Sequence, residues 1–222
     1  MDLEKAILDR RSIRVFKPDP VPAGVLREIV DLARWTPSFA NTQPWEFSIA
    51  AGQPLEELRR KLRETAAADP EGKPDIPWPE VGEPFRSRRR ELGFTLYDSQ
   101  GIPREDRAKR DEYRLFGIGF FDAPSVIVLS LDRSFTAWGV YDLGAVAFAL
   151  MLLAHTRGLG TCPQAAPTRY PWLFRQVLGI PESKLVVLAL PIGYPDPQAP
   201  VNRFPRPRAP LEELLVWKGT GP

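Results

Sequence analysis

Apolar positions recur along this chain in two rhythms, and their alternation predicts the elements. Leu3, Ala6 and Ile7 fall at helical spacing after Asp2, which predicts a short first helix capped by that aspartate. Val25, Ile29, Leu32 and Ala33 mark one face of a second helix that starts near Pro22 and stops at Pro37. Glu46–Ala51 predicts a short strand and Leu55–Ala67 a charged amphipathic helix. Ser125–Leu131 and Lys184–Ile192 are near-continuous apolar runs rich in β-branched residues, as in strands buried on both faces. Trp138–Arg157 is apolar almost all round, which predicts a central core helix. Helices that flank and separate a few strands imply an α+β fold, with a mixed sheet packed on both faces. No internal repeat and no second domain stands out, so residues 1–222 are expected to form one domain.

Proline changes this picture locally. The chain has 25 prolines, clustered in Pro18–Pro22, Pro70–Pro84 and Pro191–Pro210. Fixed φ and a missing donor make these stretches extended connectors rather than element interiors. The last cluster implies a C-terminal arm, 195–222, that runs over a surface. Residues 70–116 form a distinct lid or insertion: a Pro-rich loop, then two helical segments crowded with charge. Arg86–Arg114 carries nine Arg/Lys against six Asp/Glu, so it is either a solvated helical surface or a pocket wall favouring anions.

Composition excludes several classes. Thirty basic and 28 acidic side chains leave a formal charge of +2, too balanced to indicate nucleic acid. The longest apolar run, near Val140–Ala154, is interrupted by Asp142 and reads as too short to span a bilayer. With no signal-peptide pattern and one cysteine, Cys162, a cytoplasmic protein without membrane partners is expected. One histidine, His155, and one cysteine do not make a His/Cys metal site. Gly158-Leu159-Gly160 is not a dinucleotide fingerprint.

Two clusters carry candidate chemistry. Arg10-Arg11-Ser12-Ile13-Arg14 places three guanidiniums and a hydroxyl at the end of the first helix. Such a group suits a phosphate, and it equally suits surface arginines at a helix C-terminus. Pro37-Ser38-Phe39-Ala40-Asn41-Thr42-Gln43-Pro44-Trp45 is a proline-pinned loop with hydroxyl and amide groups able to meet a heterocycle edge. Trp45 fits the core as well.

In this order the two strings resemble the N-terminal signature of the nitroreductase family. Gly158-Leu159-Gly160-Thr161-Cys162-Pro163-Gln164-Ala165-Ala166 resembles its turn after a long apolar helix. Ile192-Gly193-Tyr194 and Arg206-Pro207-Arg208-Ala209-Pro210-Leu211-Glu212-Glu213 resemble its closing strand and arm.

The resemblance implies a nitroreductase-like fold whose C-terminal arm is swapped between the subunits of a homodimer. It further implies FMN as cofactor, NADH or NADPH as transient reductant and a small-molecule electron acceptor such as a nitroaromatic or quinone. Arg10, Ser12 and Arg208 are expected on the phosphate side, with Arg11 and Arg206 beside them. Arg14 is expected at the N1/O2 edge of the ring. Pro37, Ser38, Phe39, Asn41 and Gln43 are expected around the flavin, with Ser38, Phe39 and Asn41 supplied by the other subunit. Pro163, Gln164 and Ala165 are expected near N5. No catalytic acid or nucleophile is implied, because the flavin carries the chemistry. The same scaffold would also serve enone reduction, dehalogenation, flavin fragmentation or flavin carriage. Two departures from the pattern are Phe148-Ala149, where relatives carry a Gln-Asn pair, and Gly93 four residues before Tyr97, which leaves no deiodinase-type clamp evident.

Overall fold

A computed structural model of the chain describes residues 2–135 and 137–219. The last three residues of the expected arm lie outside the described residues. In chain order the elements are α1 (Leu3–Asp9), α2 (Ala23–Ala33), β1 (Trp45–Ala51), α3 (Gly52–Ala68), α4 (Phe85–Ser99), α5 (Arg107–Ile118), β2 (Ser125–Asp132), α6 (Ala137–Thr156), β3 (Gly160–Thr161), α7 (Pro171–Leu178) and β4 (Lys184–Gly193).

The sheet order is β1-β2-β4-β3. All three ladders are antiparallel, so the parallel share of the expected mixed sheet reduces to one bridge between Ser12 and Thr161. A strand covered on both faces reads as one apolar run whichever way its neighbours point, so strand direction was not legible. β2 shows the alternation directly. Ile127, Leu129 and Leu131 join a core with α2 and α6, while Val126 and Val128 join a second core with α3 and α7. Each fully buried aliphatic side chain contributes about 1.5–3 kcal/mol, so these two cores dominate the fold.

Four expectations change. Pro191 belongs to the interior of β4, opposite Val126, rather than to a connector. At 20 residues α6 is long and apolar enough to cross a membrane, contrary to the reading of a run too short to span. Here its buried stripe, including Leu143, Val146, Leu150 and Ala154, packs in the first core. Nor is α6 buried all round, because Trp138 (61%) and Tyr141 (69%) stand exposed on the chain. The Asp2 side chain makes no capping hydrogen bond, although α1 begins where expected.

The two charged segments α4 and α5 are helical as predicted, but they are held differently from the core. α4 buries none of its residues. α5 leads into a left-handed turn in which Phe120, Phe121 and Asp122 have φ of 64, 53 and 53°. Non-glycine residues there cost about 1–3 kcal/mol each, and the surroundings must impose them. The buried Arg59 supplies that brace: Nε donates to the Gly119 carbonyl (3.0 Å) and Nη2 to that of Ala123 (2.7 Å). Arg63 adds an ion pair to Asp122 at 2.7 Å. The turn thereby sets Phe121 against Phe116 (5.4 Å) and Tyr113 (6.2 Å).

Candidate functional site

The chain leaves α1 at Arg10 in an extended conformation, and residues 10–15 become the floor of the site. The Ile13 amide donates to the Thr161 carbonyl at 2.9 Å, which fastens this segment to β3. Gly160 is required for that approach, since a Cβ there would lie 2.4 Å from Ile13 Cγ1. Gly158, at φ +74°, turns the chain after α6. The two glycines of the Gly-Leu-Gly turn therefore have separate jobs, one conformational and one steric.

On the other side the segment is clamped by Asn202, a buried residue that sequence reasoning missed. Its Oδ1 accepts from the amides of Arg14 (2.8 Å) and Val15 (3.3 Å). Its Nδ2 donates to the carbonyls of Val15 (2.8 Å) and Asp196 (2.9 Å). Arg11 Nη1 donates to the Asn202 carbonyl at 2.8 Å. An asparagine in a Pro-rich segment signals a turn, and nothing local tells which distant backbone its amide will meet.

Above this floor lies a cavity of about 620 Å³, within the size range of ligand sites. Arg10, Arg11, Ser12 and Arg14 line it together with Arg206 and Arg208 from the arm. Arg88 of α4 also faces it, while Glu91 and Glu213 are its acids. Burial, then the neighbouring Arg208, pushes the Arg10 guanidinium below its ordinary value. Burial, then Arg11, Arg10 and Arg208, does the same to Arg206. Such crowding of like charge is relieved by a bound anion.

The arginines are not equivalent. Arg206 donates to the carbonyls of Leu8 and Arg10, so it serves mainly to close the end of α1. Arg10 packs on α6, with its guanidinium 6.0 Å from the Phe148 ring centroid and a contact to Met151 Sδ at 3.9 Å, while its Nε is buried without a hydrogen-bond partner. Phe148 thus occupies the departure noted above as a platform for Arg10. Arg14 sits over Phe204 at 5.6 Å and donates to the Ser12 carbonyl at 3.3 Å.

The Pro163-Gln164-Ala165 loop adjoins through the Ser12–Thr161 bridge. Pro163 and Ala165 face outward, and Gln164 is buried. Its backbone exchanges two hydrogen bonds with Ala189 (2.8 and 3.0 Å), and its Nε2 donates to the Gly117 carbonyl at 2.9 Å. Gln164 Oε1 and the Tyr113 hydroxyl are both buried and unpartnered. Burial pushes the Tyr113 hydroxyl up to about 12 against the opposing charge of Arg14, so it is a neutral donor at physiological pH. Burial likewise raises the Cys162 thiol, which keeps it from acting as a thiolate nucleophile.

The Pro37–Gln43 loop is not among the residues lining this cavity. The Phe39 amide donates to both carboxylate oxygens of Asp142 (3.2 and 3.1 Å), and its ring stacks on Trp138 at 5.9 Å. Ser38 Oγ accepts from the Gln43 amide at 2.9 Å. Ala40, Asn41 and Gln43 hold positive φ, so the loop is rigid and strained as well as exposed. Trp45 is core.

The Nitroreductase family profile matches residues 7–194. The chain belongs to the nitroreductase family. A 4-nitrobenzoate reductase of Pseudomonas putida is 32% identical over 219 residues, spanning 98% of this chain and 96% of that protein. The crystal structure of the FMN and NADPH-dependent nitroreductase NfnB from Sphigopyxis sp. strain HMH superposes with a TM-score of 0.96 at 31% identity, covering 99% of this chain and 100% of that one. That of the FMN-dependent NfnB from Mycobacterium smegmatis in complex with NADPH gives 0.92 at 32% identity, covering 97% of each chain.

Proposed function

We propose that this nitroreductase-family chain is an FMN-dependent oxidoreductase that uses NADPH to reduce nitroaromatic or quinone-type acceptors in a ping-pong cycle. The observation that carries the reading is the arginine-lined cavity joining residues 10–14 to the arm. Its cation excess and the unpartnered buried Nε of Arg10 fit a phosphate-bearing cofactor. Bound FMN would supply two-electron transfer. Arg10, Ser12 and Arg208 would hold its phosphate, with Arg11 and Arg206 shaping the wall. Arg14 would place a permanent cation where the reduced ring gathers charge. Pro163, Gln164 and Ala165 would flank the reacting edge, and the buried Tyr113 hydroxyl would offer a donor to whatever lies beside it.

The proposed working unit is a homodimer in the cytoplasm, each chain a single domain with residues 70–116 as lid and 195–222 as arm. Exposed apolar side chains support the dimer: Trp138 and Tyr141 on α6, and Leu214, Val216 (81%) and Trp217 at the end of the arm. The described arm docks on its own chain through Arg206 and Glu213, so a swap onto the partner would begin beyond residue 213. The Pro37–Gln43 loop would then be contributed across the interface.

Purified protein should be yellow and should oxidise NADPH when 4-nitrobenzoate is added. A protein that takes up no FMN would overturn the cofactor assignment. One that loads FMN but turns over no nitroarene or quinone would leave only a flavin carrier.

A further inference from the structure

The basic lid segment divides in two. Arg88 turns toward the arginine cavity, whereas Tyr97 of α4 and Arg107, Arg110 and Arg114 of α5 line a second crevice of about 270 Å³. We propose that this crevice is an oxyanion subsite that takes the 2′-phosphate of NADPH. The proposal rests on the functional reading above and names the group that would distinguish the reductant.

Three features point to a ligand rather than to a solvated surface. Arg107, Arg110 and Arg114 stand three and four residues apart, so their like charges share one helix face and repel. Arg107 also opens α5, where the helix dipole disfavours a cation. Of the three, Arg114 alone has side-chain partners among the described residues, Asp111 within the crevice at 3.4 Å and the Ala66 carbonyl at 3.3 Å. Among the described residues the Arg107 side chain has no hydrogen-bond or ion-pair partner, and the Nε of Arg110 is buried with none.

The charge balance selects the ligand class. Three guanidiniums less the carboxylate of Asp111 leave two positive charges in the crevice. A phosphate monoester brings about −1.5 to −2, a carboxylate only −1. The place is also apt. Tyr97 meets Tyr113 at 6.0 Å, edge to face, and Tyr113 in turn feels the charge of Arg14. One aromatic pair therefore links the subsite to the neighbourhood of Arg14.

The test is a calorimetric titration of the FMN-loaded protein with adenosine 2′,5′-bisphosphate, AMP and 4-nitrobenzoate. The bisphosphate should bind at least about tenfold tighter than AMP, and R107A and R110Q should each cut that preference to about twofold. R110K should keep an intermediate preference, and AMP and 4-nitrobenzoate binding should not change. Arg107 is exposed, so R107A keeps the test independent of folding. A bisphosphate that binds no better than AMP, or variants that retain the preference, would overturn the proposal. So would loss of 4-nitrobenzoate binding alone, which would reassign the crevice to an acceptor's carboxylate. The titration reads binding without turnover, so a protein that fails to load FMN fails the functional reading while the bisphosphate preference is still measured.

Discussion

β2 buries its first seven residues between two helical layers, whereas α4, nearly twice as long, buries none. The sheet is held by apolar area on both faces. The lid is held by rings and charges: Tyr97 on Tyr113, Arg104 at 3.6 Å from the Phe94 ring centroid, and Arg88 paired with Glu213 at 2.5 Å. Exposed pairs of this kind are weak and screened by salt. A segment so fastened can open at little cost. The arginine cavity lies between the two regimes, with its floor on the sheet and one wall on the lid.

The contrast can be broken by substitution. The largest expected effect is in the sheet: Leu129→Ala should cost roughly 4 kcal/mol, read by chemical denaturation. A cost below about 1 kcal/mol would mean that the two-layer core is not the main source of stability.

Asp75 comes next, because it ties the Pro-rich loop that opens residues 70–116 to the sheet. Its carboxylate accepts from the Val186 amide (2.9 Å) and pairs with Arg133 (2.8 Å) and Arg175 (2.7 Å). Burial alone would raise this carboxyl, but those donors more than offset it and hold it below its ordinary value. A depressed folded-state value gives stability that is present above the unfolded value near 3.8 and lost as pH falls through the folded one. Asp75→Asn should therefore cost about 3 kcal/mol at pH 7, and the gap from the parent should close below about pH 4. A gap independent of pH would exclude the ionised carboxylate as its cause.

Asn202→Ala removes the clamp on residues 14 and 15 and should cost about 2 kcal/mol, with weaker FMN retention. Normal FMN affinity in that variant would show that the floor holds its shape without the clamp. The smallest effect should come from Glu213→Gln. It should change stability by less than about 1 kcal/mol, yet raise hydrogen exchange across α4. Unchanged exchange would mean the ion pair does not fasten the lid.

Legibility followed the same division. α2, α3, β2 and β4 were found within a few residues because burial on a helix or strand face leaves a period in the sequence. α7 was missed although Pro171 stands in its first turn and Gly179 ends it with a left-handed φ of 69°. Those are ordinary start and stop signals, overlooked between two stronger motifs. The arginines of residues 10–14, 206 and 208 were singled out by type and order, and the fold brings them to one cavity. Asn202, Tyr113 and the Arg107–Arg114 face were not singled out individually, because each acts on residues far away in sequence.

The sequence by itself determined the helices and strands of the two cores, α7 excepted, together with the family and the cationic character of the site. Those properties are local or additive: periodicity, motif order and charge survive without knowledge of contacts. Tertiary structure alone decided strand direction, which glycine is steric and which conformational, and which lid arginines share a crevice. It also decided that Arg206 closes α1 while Arg10 leans on Phe148. Each depends on distances between residues remote in the chain, and burial erases the polar alternation that would otherwise mark such contacts in advance.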